Sequence, residues 1–290
     1  MAALSDHADC YLAPTMILGV HGVLDLEPWI RRAHEDDSLE EDMYSLVVKR
    51  TVAYGLSSFH AGGPEGERWG HNDAGGDWTQ DGKIRQLAWL QVAVSEELPG
   101  QRLPVQPAAT VLRDVLTRLG HFRLTGLHTL APLHLAPDGR ADLADAAAWF
   151  ALTDPALDAG VGAGATVDLT VSVWAAETAG LPARASDLLT AARQRTYDAM
   201  TILPAPPEEA TTTAQEGLAL PLAGEVQTEG MRPGPAFRCR VHEWSLDVAA
   251  WTTEIFVDAL RSTGTTAPAL ITVSARERTQ QEEPTQPAMR

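Results

Sequence analysis

Hydrophobic and polar positions along this chain follow two periods, and the switches between them mark its elements. Met16-Ile17-Leu18-Gly19-Val20 is an unbroken apolar run of the length of a buried strand. Pro28 then stands where a helix begins, with Trp29, Ile30 and Ala33 as its apolar stripe. Ser38 and Glu41 have the spacing of a capping box, and Met43, Leu46, Val47 and Tyr54 share the helical face that follows, up to Gly55. Leu87 to Val94 predicts a second buried strand. Val111, Leu112, Val115, Leu116 and Leu119 predict a helix opened by Pro107 and closed by Gly120. Leu124 to Leu135 predicts a strand, and Pro132 within it implies an edge position or a bulge.

The second half repeats this grammar. An alanine-rich helix around Leu143 to Leu152 ends near Pro155, and a Gly160 to Gly164 connector follows. Val167, Leu169, Val171 and Val173 alternate with Asp168, Thr170 and Ser172, which predicts a strand with one buried and one wet face. Leu188, Leu189, Ala192, Tyr197 and Met200 predict a helix. From Leu203 to Pro235 the chain is proline-rich, as in a linker or wrapping segment, with Leu218, Leu220 and Leu222 able to pair as a strand. A strand at Phe237 to Trp244, a helix from Leu246 to Thr263 capped by Ser245, and a strand at Leu270 to Val273 complete the pattern. In that helix Leu246, Ala249, Ala250, Phe256, Val257 and Leu260 form the expected buried stripe, leaving Asp258 and Arg261 toward solvent.

Three strand–helix–strand units result, at about 87–135, 167–222 and 237–274. They predict an α+β fold of repeated ferredoxin-like units, with a mixed or antiparallel sheet covered by helices. A doubly wound α/β sheet is the alternative. No strand runs through a tight glycine-rich turn into a helix, which weighs against that alternative. The expected division is an N-terminal domain over 1–159 with a glycine-rich loop at 60–83, a C-terminal domain over 160–275 with the connector 203–235, and a disordered tail at 276–290.

Charge narrows the partners. The 290 residues carry 22 basic and 39 acidic side chains, a net charge of −17. Nucleic acid and anionic membrane surfaces are therefore not expected partners, because both select basic surfaces. No apolar run reaches the ~20 residues of a membrane span, and no signal-peptide pattern opens the chain. Two cysteines, Cys10 and Cys239, make no disulfide framework, which points to a cytoplasmic setting. Arginine in place of lysine (only Lys49 and Lys83 are lysines) and abundant alanine suggest a high-GC bacterial source.

Candidate chemistry is dispersed. The glycine-rich loop offers His60 and His71 as ligand-binding residues beside Glu65, Glu67 and Asp73. His128 sits on a predicted strand between Leu127 and Leu130, in a context that suits either a buried imidazole or an acid–base group in a pocket over the sheet. On the strand at 237–244, Arg238, Arg240, His242 and Trp244 alternate with Phe237, Cys239, Val241 and Glu243. That places two guanidiniums beside an imidazole, with His242 as a second catalytic candidate and Arg238, Arg240 and Trp244 as ligand contacts. Cys239 falls on the apolar side and reads as a small hydrophobe. There is no HExxH, no CxxC, no GxSxG and no phosphate-binding glycine motif, so no metal and no cofactor is expected.

Two readings follow. One is a cytoplasmic small-molecule-binding protein or enzyme of accessory metabolism, with its ligand over a sheet face and a homo-oligomeric state. The other is a non-catalytic assembly or interaction protein. Convergence of His60 or His71 with His128 or His242 in one concavity favours the first, and histidines scattered over unrelated surfaces favour the second.

Overall fold

The computed structural model describes residues 14–54, 56–58, 69–95, 102–140, 142–152, 166–206, 216–222, 226, 228 and 230–275. The strands are β1 (Thr15–Leu26), β2 (Ser57–Ser58), β3 (Trp69–Gly75), β4 (Arg85–Val94), β5 (Gly120–Ala131), β6 (Val167–Ala176), β7 (Thr201–Pro204), β8 (Met231–Val241) and β9 (Ala269–Ala275). The helices are α1 (Pro28–Glu35), α2 (Met43–Thr51), α3 (Val105–Leu119), α4 (Asp142–Phe150), α5 (Ala185–Thr196) and α6 (Leu246–Ser262). This is an α+β protein with one nine-stranded sheet in the order β2-β3-β4-β1-β5-β9-β6-β8-β7. Every ladder is antiparallel except the two-residue pairing of β2 with β3. A doubly wound sheet is mostly parallel, whereas among the described residues β2–β3 is the single parallel ladder.

The order contains a repeat. From the outer edge inward, β3-β4-β1-β5 matches β7-β8-β6-β9, and the two runs meet where β5 lies antiparallel to β9. In each run a helix, α3 or α6, links the second strand to the fourth, and the third strand, β1 or β6, lies between them. These two helices pack against each other over the sheet, with α2 beside α3 and α5 beside α6. Alternate side chains of the strands, among them Leu18, Val20, Leu127, Val171, Phe237 and Val273, meet the helices in one core.

Several elements differ from the sequence pattern for identifiable reasons. Part of the glycine-rich stretch 60–83 is strand β3, whose Gly75 admits the Trp89 indole where a Cβ would lie 2.8 Å from its Nε1. Gly76 likewise approaches the Leu87 carbonyl too closely for a side chain. Asp42, not Ser38, caps α2, its Oδ1 accepting the Ser45 N–H at 2.7 Å. Pro132 ends β5 at the centre of the sheet instead of marking an edge. The expected wet face of β6 is buried, since Thr170 is 0% and Ser172 1% exposed. Helix α6 has the expected stripe, but Asp258 is also buried and Arg261 bonds Asp138 at 2.7 Å. The cause is position: α6 is surrounded by the sheet, α3, α4 and α5, so it has almost no solvent face. The connector 160–164 and the tail 276–290 lie outside the described residues.

Candidate functional site

Side chains that point away from the helices define a second face of the sheet, called open because it lies opposite the helical layer, although its central side chains are buried. Two adjacent cross-strand rows run across its centre. One is Gly19 (β1), His128 (β5), Thr272 (β9) and Ser172 (β6); the other is His21, Gly126, Ser274, Thr170 and, on β8, Arg238. Antiparallel pairing puts such directly opposed side chains within contact distance. The core-facing residues between them are aliphatic, so the polar identity of these rows comes entirely from the other half of the period-two pattern.

His128 is wholly buried, the Cε1 corner of its ring lying against Gly19. A Cβ at Gly19 would stand 2.1 Å from the His128 Cε1, so only glycine leaves room for the imidazole. His21 is buried beside it, with its Nε2 2.8 Å from the His128 Nδ1. The proton positions follow from the third partner. The backbone N–H of Ala219 donates to His21 Nδ1 at 3.0 Å, so that nitrogen carries no proton. His21 therefore donates from Nε2 to His128 Nδ1, and His128 holds its own proton on Nε2. That Nε2–H is buried and has no hydrogen-bond partner among the described residues. Thr170 Oγ1, in the neighbouring row, is likewise buried without a partner among them. Ser172 and Thr272 share a hydrogen bond of 2.6 Å, and Trp174 Nε1 donates to Ser172 at 3.2 Å.

Both imidazoles are neutral. Burial brings His128 down to about 3, and burial followed by the nearby His128 keeps His21 well below its ordinary value. A histidine in this state is a poor base at neutral pH and a good hydrogen-bond donor.

Residues 216–222 lie across this face as a strap, not as the strand the leucine spacing allowed. Thr125 Oγ1 donates to the Gly217 carbonyl at 2.7 Å, and Ala219 reaches His21 as above. Leu218 is buried over Gly126, where a Cβ would come within 2.6 Å of its Cδ2. A Cβ on Gly217 would stand 2.3 Å from the Thr125 carbonyl oxygen. Glycine on both partners is what lets the strap backbone lie against the sheet.

The structure brings some of the sequence candidates to this face and leaves others elsewhere. His128 and Arg238 share it, and Arg240 joins them on β8, where its Nε bonds Asp168 at 2.9 Å. Trp244 lies beyond the end of β8 and donates to the Leu124 carbonyl of β5 at 2.9 Å. His242 also follows the strand and is exposed. His71 is on the helix side of β3, opposite the core residue Val92, with its Nδ1 3.2 Å from Thr51 Oγ1 of α2. The sheet separates it from His128. His60 lies outside the described residues. Cys239 is a buried core thiol whose pKa burial pushes up. No group of three His, Cys, Asp or Glu side chains among the described residues is placed to hold a metal ion.

Two features escape sequence reasoning. His21 is 107 residues from His128, and its only local signal is the alternation that sets it with Gly19 against Leu18 and Val20. The other is a buried ion network at the centre of the helical layer. Glu254 of α6, 2% exposed, accepts from Arg102 at 3.1 Å and pairs with Arg140 at 3.2 Å, and Arg140 also bonds Asp142. Burial raises the Glu254 carboxyl above its ordinary range, against the pull of Arg140 and Arg102. Four residues further on, Asp258 pairs with Arg195 of α5. A cleft of about 350 Å³ opens above Glu254, with Trp149 of α4 exposed at its mouth.

The class that fold and site define is an α+β protein with a helix-covered sheet and a buried polar patch on the opposite sheet face. Set against family models, curated proteins and solved structures, the chain matches none.

Proposed function

We propose that this protein binds a small organic molecule on the open face of its sheet, beneath residues 216–222. One observation carries the reading: the His128 Nε2–H is a buried donor, fixed in tautomer by the chain Ala219–His21–His128, and it has no acceptor among the described residues. Buried donors left unpaired are costly, of the order of 1–3 kcal/mol, and native folds keep them chiefly where something else completes them. The matching ligand presents a carbonyl or carboxylate oxygen to His128, with the Thr170 hydroxyl available on the next row. His128 would then orient or polarise that oxygen as a neutral donor. The architecture behind the site is read as two ferredoxin-like units joined at β5 and β9, in a cytoplasmic bacterial protein with no nucleic-acid partner.

Native mass spectrometry of the purified full-length chain tests this. The expected result is a retained non-protein mass that is lost in His128→Phe. An unliganded, defined oligomer would instead favour the assembly or interaction reading, which draws support from the separation of His71 from His128.

A further inference from the structure

The contacts that hold the strap are those by which a protein reads a secondary amide. Thr125 gives one hydroxyl donor to a backbone carbonyl, and His21 gives one nitrogen acceptor to a backbone N–H. The carbonyl belongs to Gly217 and the N–H to Ala219, with Leu218 buried between them on the glycine floor of Gly126. The strap contributes to no ladder of the sheet: β1, β5 and β9 pair with one another beneath it without its help. It is therefore an occupant of the face and not a member of the fold's hydrogen-bonded frame. The Ala219 N–H fixes His21 Nδ1 as an acceptor and thereby places the His128 proton on Nε2, so the orphaned His128 donor and the amide acceptor belong to one device.

We propose that Thr125, His21 and Gly126 form an amide-recognition subsite for an extended, peptide-like ligand with a small–Leu–small pattern, and that residues 216–222 are its tethered occupant. The inference rests on the open face being the ligand-binding face, and it names the ligand's chemistry. Two further charged groups lie on the same face: Arg238 at the far end of the His21 row and Glu216 at the start of the strap. His128 is the titratable side chain bonded to His21, and the residues opposite His21 on β4 and β5 are Gln86 and Gly126. No covalent step is involved: the ligand exchanges with the strap for the same two hydrogen bonds and the same apolar floor. A tethered occupant competes at an effective concentration of about a millimolar, so a free ligand must be supplied in that range.

The test uses a synthetic heptapeptide with the sequence of residues 216–222 and the full-length chain in which those residues are replaced by an equal run of glycine and serine. Ring ¹⁵N signals of His21 and His128 are followed by NMR as the peptide is added. Saturating shifts at His21 Nδ1 are expected. Binding should be at least tenfold weaker to the unmodified protein, and at least tenfold weaker for a peptide methylated on the nitrogen equivalent to Ala219. Equal binding of the native and methylated peptides, or no shift at His21, overturns the proposal. Should the replaced chain fail to fold, Gly217→Val provides the second variant, because its Cβ collides with the Thr125 carbonyl and lifts the strap alone. Loss of the fold in both variants would make the strap part of the frame and overturn the proposal too. A retained small molecule in native mass spectrometry without any peptide response removes only the amide inference. A peptide response without a retained molecule removes only the small-molecule reading.

Discussion

Gly19, His21 and His128 act as one unit, and each constrains the others through a different physical effect. The glycine leaves space for a ring, the second ring sets the tautomer of the first, and burial keeps both neutral. Gly19→Ala should cost about 1–3 kcal/mol, the usual penalty for overpacking, and chemical denaturation will show it. The histidines also make stability depend on pH with a definite sign. Above about pH 6.5 both folded and unfolded states are neutral and contribute no slope. Below it the unfolded chain takes up protons that the folded pair refuses, so stability falls by up to about 1.4 kcal/mol per pH unit for each histidine. For His128 that fall continues down to about 3. NMR titration should find the His128 ring still neutral at pH 5, and an ordinary titration near pH 6.5 would contradict this. At this scale the sequence was partly legible. His128 between leucines reads as a buried imidazole, whereas its partner lies across a tertiary contact that no local pattern encodes.

Among the elements, α6 shows how an amphipathic pattern can understate burial. Its apolar stripe is correctly placed by period, yet Glu254 and Asp258 are also 2% exposed because other helices close over the remaining face. Each acid is tolerated there by an arginine from a different element: Arg102 and Arg140 for Glu254, Arg195 for Asp258. Sequence period places a residue on a side of a helix, but only the packed neighbours decide whether that side meets water. Removing Glu254 leaves Arg140 paired with Asp142 alone and takes a charged hydrogen-bond acceptor from Arg102, so Glu254→Ala should cost about 1.5–3 kcal/mol. Leu260→Ala should cost about 2–5 kcal/mol by creating a cavity. Arg261→Ala should cost about 1 kcal/mol or less, since its partner Asp138 is largely exposed. Urea melts of the three variants give the ranking. A larger loss for Arg261 than for Leu260 would contradict the placement of the helix. Strand β3 is hidden in sequence for a related reason: Gly75 at its end and Gly76 just after it serve close packing against Trp89 and Leu87, which in sequence looks like loop composition.

Across the whole molecule, the repeated strand order gives two similar halves that share one sheet and one helical layer. Contacts tie them beyond the β5–β9 ladder. Arg102 reaches Glu254, Arg113 bonds Asp247 at 2.5 Å, and Gln106 bonds the Asp247 carbonyl at 3.1 Å. Far-ultraviolet and tryptophan-fluorescence melts should therefore coincide in one transition, and two separated transitions would mean the halves unfold independently. The alternation of strands and helices, and hence the α+β class, was legible in period alone. The pairing of β5 with β9 was not, because register between distant strands is set by the assembled core. On this sheet the strap covers polar side chains without joining a ladder, and the functional reading depends on its being separable from the frame. Native-state hydrogen exchange resolved at individual amides tests that most directly. The Ala219 amide should exchange through local opening at least a hundredfold faster than the amides of Leu18 and Val20 in β1. Equal protection of all three, with exchange only on global unfolding, would show that the strap is core and that the open face is not a binding site.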